Sequence, residues 1–151
     1  MSAPGSSREA VPLELPYYGA PFSAAFARFW RKYADFHGRA SRSEYWWWVL
    51  FSGAVGIAIE AIYVPSLLAR PRGGGFHLDA GIVVAAVLAL AWGLATIVPT
   101  LALVWRRLHD ANLSGAFWLL SFVPLVGWIA VLVLTLLPAD PAGARFDRAA
   151  R

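Results

Sequence analysis

Asp79-AGIVVAAVLALAWGLATIVPTLALVW-Arg106 holds twenty-six consecutive residues, 80–105, without a charged side chain. At ~1.5 Å of rise per helical residue, such a run more than covers a ~30 Å hydrocarbon core. Only a segment that satisfies its own backbone hydrogen bonds can lie in that core, so the run reads as a transmembrane helix. Its excess length calls for tilt, a kink or extension into an interface, and Pro99 marks the natural kink.

Two further runs flank it. Ser41-Arg42-Ser43-Glu44 has the S-x-x-E spacing of a capping box, with Ser41 as the cap and Glu44 reaching back. A span at about 45–68 follows, opened by Tyr45-Trp46-Trp47-Trp48, aromatics that suit the membrane interface. Its one charge is Glu60. On the other flank, residues 111–139 are uncharged and predict a third span at about 117–137, containing Pro124 and Gly127. Arg70-Pro71-Arg72-Gly73-Gly74-Gly75, between the first two spans, is a breaker-rich loop.

The whole chain agrees with a lipid solvent. Its 151 residues are 59% hydrophobic and 15% charged, with a mean hydropathy of +0.57, against about 25% charged residues in soluble domains. Upstream of the spans, Phe22, Phe26, Phe29, Trp30, Tyr33 and Phe36 recur at helical spacing, with Arg28, Arg31, Lys32 and Asp35 opposite. Residues 21–36 therefore read as an amphipathic helix lying in the interface, its cations toward lipid phosphates. Residues 1–20 mix Pro, Gly, Ser and acids without period and read as a flexible tail, while 139–151 form a polar C-terminal tail. The fold class is thus all-α: an integral membrane helical bundle with three transmembrane helices after an N-terminal interfacial amphipathic helix, the membrane domain occupying 21–138.

The net charge is +4, from thirteen Lys and Arg against nine Asp and Glu. Since these cations flank apolar spans, topology control and anionic headgroups explain them better than nucleic acid does. Counted from Arg28 onward, three spans would put seven cations on the N-terminal side and five opposite, a narrow margin for a cytoplasmic N-terminus and an external C-terminus. The absence of cysteine excludes disulfides and thiolate chemistry, and His37, His77 and His109 are too far apart to suggest a metal site. No cofactor is implied.

Three spans also bring the start of the first and the turn after the second to one side. Arg39, Arg42, Arg106 and Arg107 would meet Glu44 and Asp110 there, leaving a surplus of cations for a lipid phosphate or an acidic partner. The strings FHGRASRSEYWWW and RRLHDANLSGAFWLL, found in this order, resemble the DUF805 family of small bacterial inner-membrane proteins over about residues 26–138. The resemblance implies a helical inner-membrane protein with no established activity. By matching position it makes Gly38, Arg39, Arg42, Glu44, Tyr45, Trp46, Arg106, Arg107, Leu108, His109, Asp110, Ser114 and Trp118 signature residues.

The arginines read equally as topology anchors and as binding groups, and Glu44 reads as a cap and ion-pair partner. His109 beside Asp110 suggests acid–base chemistry, but neighbours on a helix point about 100° apart and no nucleophile completes a site. Glu60 is an intramembrane acid, expected to point into the bundle from the face of Gly53 and Gly56. Gly81, Ala85, Ala89 and Gly93 form a small-residue stripe suited to close helix packing, within one chain or in a homo-oligomer. The leading functional expectation is a non-enzymatic scaffold, or a protein binding anionic phospholipid or a partner. The alternative is an oligomeric small transporter or channel subunit using Glu60, and a catalytic role ranks last.

Overall fold

The computed structural model describes residues 11–68 and 79–147. The expected 70–75 loop and the ends of both tails lie outside them. Among the described residues every regular element is helical: α1 (Phe22–Arg31), α2 (Arg42–Leu68), α3 (Ala80–Asp110), a 3-10 segment (Gly115–Phe122), α4 (Gly127–Leu136) and a short 3-10 segment (Pro141–Phe146).

Two of these, α2 and α3, are long and apolar enough to cross a membrane, with mean hydropathies of 1.7 and 2.4 over their most apolar stretches. They pair antiparallel. The Ala40 N–H donates to the Arg106 carbonyl at 3.0 Å, Trp48 Nε1 donates to Thr100 Oγ1 at 3.1 Å, and at the far end Gly81 lies against Ser66. The small-residue stripe therefore begins as an internal contact, with Ala85 buried. Helix α3 continues unbroken through Pro99.

Helix α1 is shorter than the amphipathic 21–36 pattern predicts, and it packs on α2. The Phe29 ring stacks on Trp48 with centroids 3.4 Å apart, Phe26 meets Phe51 edge-on at 5.0 Å, and Trp48 stacks in turn on Trp92 of α3 at 5.8 Å. Aromatic pairs of this kind each contribute ~0.5–1.5 kcal/mol beyond area burial. Arg28 and Lys32, expected to face phosphates, are buried. The reason is visible in the stripe Ala25, Arg28, Phe29, Lys32, whose helical spacing puts both cations on the packed face.

Residues 11–20 also depart from the flexible-tail expectation. They lie across α1 and the start of α2, where Arg28 donates to the carbonyls of Val11 and Pro12 at 3.1 Å and to those of Leu13 and Leu15. The Trp47 indole N–H donates to the Ala20 carbonyl at 3.0 Å.

The largest departure concerns the third apolar run, which is not one helix across 117–137. Proline disfavours helical backbone in the residue before it, and Val123, before Pro124, is extended at φ −76°, ψ 116°. Leu125 then takes a left-handed φ of 67°, reversing the chain into α4. At ten residues, α4 is only ~15 Å long. It folds back along the 3-10 segment so closely that a Cβ on Gly127 would lie 1.9 Å from the Leu120 carbonyl oxygen. Val131 of α4 packs with Val104 and Leu108 near the C-terminal end of α3. The chain then returns to its starting point: the Asp140 N–H donates to the Asp110 carbonyl at 2.8 Å.

Candidate functional site

The start of α2, the end of α3, both ends of the 3-10/α4 hairpin, residues 11–20 and residues 138–147 meet at one end of the bundle, and nearly all the charge gathers there. The capping box forms as its spacing predicts. The Ser41 N–H donates to Glu44 Oε2 at 2.8 Å and the Glu44 N–H donates to Ser41 Oγ at 3.2 Å. The other Glu44 oxygen accepts from Arg28 Nε at 2.5 Å, with both side chains buried. The Tyr17 N–H donates to Oε2 at 3.1 Å.

A second ion pair forms where the sequence expectation had Asp110 reaching across helices. Asp110 binds Arg107 within the same helix, Oδ2 to Nη1 at 2.6 Å, with both groups fully buried. The Arg107 guanidinium also donates to the Thr135 carbonyl at 2.9 Å and to that of Leu137, which anchors the end of α4 to α3. Asp110 Oδ1 accepts from the Tyr18 hydroxyl at 2.7 Å. Burial, then this hydrogen bond and the Asp110 charge, push the Tyr18 phenol up to about 12.

His109 does not pair with Asp110. Its Nδ1 lies 3.0 Å from the Gly38 carbonyl, to which a protonated Nδ1 donates, and its ring stacks on Phe146 at 3.9 Å. Gly38 holds a left-handed φ of 75°, a conformation that a side chain would strain. It also donates its N–H to the Phe146 carbonyl at 2.9 Å. Arg39 forms a bidentate pair with Asp147, through Nε at 3.0 Å and Nη2 at 2.7 Å, which raises the Arg39 pKa above its ordinary value.

Arg106 is buried at 1% exposure, with Nε donating to the Ala102 carbonyl at 3.1 Å. Lys32 lies nearby and donates to the Leu13 carbonyl at 2.8 Å. Loss of hydration, followed by repulsion from Arg106, lowers the Lys32 pKa to about 8. Arg42 behaves differently. It is exposed, donates Nε to the Leu137 carbonyl at 3.0 Å, and lies on the rim of a recess of about 380 Å³ lined by Tyr18, Ser41, Ser43 and Pro138 among others.

All eight residues of the expected polar cluster thus occupy one end of the molecule: Gly38, Arg39, Arg42, Glu44, Arg106, Arg107, His109 and Asp110. Glu60 does not join them. It is exposed on the far half of α2, where it lines an apolar groove between α2 and α3 with Tyr63, Ile82 and Ala86. Sequence reasoning missed Arg28, Lys32, Tyr18, Phe146 and Asp147. The 25-28-29-32 stripe carried a signal for the first two, whereas Asp147 meets its partner across 108 residues and left none. Among the described residues, no three His, Cys, Asp or Glu side chains gather as a metal-binding group.

Residues 33–148 match the family described as Protein of unknown function (DUF805). The chain is 40% identical over 103 residues to the inner membrane protein YhaI of Escherichia coli strain K12, covering 68% of this chain and 75% of that protein. To the inner membrane protein YhaH of the same strain it is 29% identical over 120 residues, covering 77% of this chain and 87% of that one. No solved structure matches. The matched region contains both arginine motifs and the ion pairs they form, apart from Arg28, and the chain belongs to the DUF805 family as a multi-pass protein of the inner membrane.

Proposed function

We propose that this protein is a non-enzymatic scaffold of the inner membrane that holds an anionic phospholipid headgroup at its polar end. The observation that carries this reading is how its cations divide. Arg106 and Arg107 are 1% and 0% exposed and turned inward: Arg107 fastens α4 to α3, whereas Arg106 bonds the Ala102 carbonyl of its own helix and leaves Nη2 buried without a partner among the described residues. Arg42, also in the signature, is exposed at the mouth of the Tyr18–Ser43 recess. An exposed guanidinium at the level where an apolar helix meets water matches the donor that a lipid phosphate takes, while the Ser41 and Ser43 hydroxyls beside it are held by the Tyr17 carbonyl. The scaffold half of the reading rests on the buried Arg28–Glu44 and Arg107–Asp110 pairs, which together with the carbonyls that their arginines hold and the Tyr18–Asp110 bond tie residues 11–20, α1, α2, α3 and α4 together.

Native mass spectrometry of the protein released from mild detergent tests the lipid. An acidic phospholipid is expected on the wild type and should be lost from Arg42→Ala with the fold intact. In Arg106→Ala/Arg107→Ala the expected effect is loss of folded protein rather than selective loss of lipid. A wild type that carries no acidic lipid, or an Arg42→Ala variant that keeps it, refutes lipid binding at this recess.

A further inference from the structure

We infer that the 3-10/α4 hairpin enters and leaves the membrane on one side, presenting its apolar surface to the acyl chains of the cytoplasmic leaflet, so that the chain crosses the bilayer only twice. The ends of the hairpin fix the geometry. The Leu113 N–H donates to the Leu108 carbonyl at 2.9 Å, while Arg107 holds the Thr135 and Leu137 carbonyls at the other end. Arg42 at the start of α2 reaches the same Leu137 carbonyl. A crossing segment would separate its ends by ~30 Å. These ends instead attach to neighbouring residues of one helix end, Leu108 and Arg107 of α3.

The depth follows from length. A ten-residue α4 reaches ~15 Å, about half of the hydrocarbon core. The turn at its tip has the surface that such a position requires: Phe122 is 70% exposed, Leu125 85% and Trp128 62%. In water these would be costly. In one leaflet they meet acyl chains, no charged side chain lies within 111–139, and the N–H groups of Val123, Val126 and Gly127 bond within the turn, as backbone at that depth requires.

The charge distribution independently assigns the leaflet. All eight Lys and Arg of the described residues, from Arg28 to Arg145, belong to the polar end, while the connection between α2 and α3 carries only Arg70 and Arg72. With three crossings Arg145 would fall on the opposite side and the bias would narrow. With two, all of the thirteen Lys and Arg but Arg70 and Arg72 fall on one side, eleven to two, and the positive-inside rule puts the polar end and both chain termini in the cytoplasm.

The chain has no cysteine, so single introduced cysteines report on this arrangement without background. Ala144→Cys lies at the polar end, Ser7→Cys precedes α1 in the sequence, and Gly74→Cys lies between α2 and α3 in the sequence. A membrane-impermeant maleimide applied from the periplasmic side is expected to label Gly74→Cys alone; in inside-out vesicles it should label the other two. Leu125→Cys should resist it from both sides, and a nitroxide attached there should be more accessible to oxygen than to a polar nickel chelate. Periplasmic labelling of Ala144→Cys together with Gly74→Cys would mean a third crossing and overturn the inference. Labelling of Ser7→Cys and Ala144→Cys from the periplasm overturns the assigned leaflet, and a chelate-accessible Leu125→Cys overturns the depth.

Discussion

Replacing Arg28 by methionine keeps much of its bulk but leaves the Glu44 carboxylate buried without its cation. Breaking a buried pair from one side costs about 3–5 kcal/mol, so Arg28→Met should lower thermal stability in detergent steeply. Arg28→Met/Glu44→Gln, with no charge left over, should recover part of the loss, and a double variant no better than the single one would show that the pair matters through something other than charge. Titration gives a second residue-scale prediction. Lys32 holds its proton less firmly in the fold, at about 8 against an ordinary 10.5, because burial and the nearby Arg106 and Arg28 outweigh attraction from Glu44 and Asp35. The unfolded chain therefore binds more protons between these values, and stability should rise with pH through that window. Tyr18 acts oppositely. Its folded value of about 12 lies above the ordinary 10, so its contribution, complete below pH 10, fades as pH climbs toward 12. Thermal midpoints against pH should peak near 10. Lys32→Met should remove the rising limb and Tyr18→Phe the falling one.

Single elements show what the sequence could and could not disclose. The capping box at Ser41 and Glu44 was readable because it is a local motif, and α2 and α3 because length and composition suffice for them. The third apolar run met the same length criterion, yet it is a hairpin, since hydropathy counts residues without registering that the chain turns back. The marks of the turn were Pro124 and Gly127, and only the backbone of Leu125, left-handed at 67°, makes them a reversal. Gly127 tests that element directly. A methyl group there would press on the Leu120 carbonyl, and overpacking of this kind costs about 1–3 kcal/mol. Gly127→Ala should lower the thermal midpoint and expose the 123–126 turn to protease in detergent, while Gly53→Ala, at a position with open space around it, should change neither. Equal effects of the two would mean that the close approach at Gly127 is not what holds the hairpin.

At the scale of the molecule, the two halves of the α2/α3 pair differ in kind. Near the polar end it is flanked by α1 and the hairpin, whereas the far half stands bare, with Ile57, Leu90 and Leu94 each more than 60% exposed. That division was hidden in the sequence, where both halves are equally apolar. The site was legible as a gathering of arginines and acids, but its wiring was not: spans alone predict which groups share a side, not which of them touch. The wiring also imposes an order of events. Arg39 and His109 complete their contacts with Asp147 and Phe146, residues that the ribosome adds after α2, α3 and the hairpin. Until then, a nascent chain already inserted in the bilayer holds Arg39 without its carboxylate. A chain that stops short of Phe146 would therefore leave Arg39 without its carboxylate and His109 without its stacking partner.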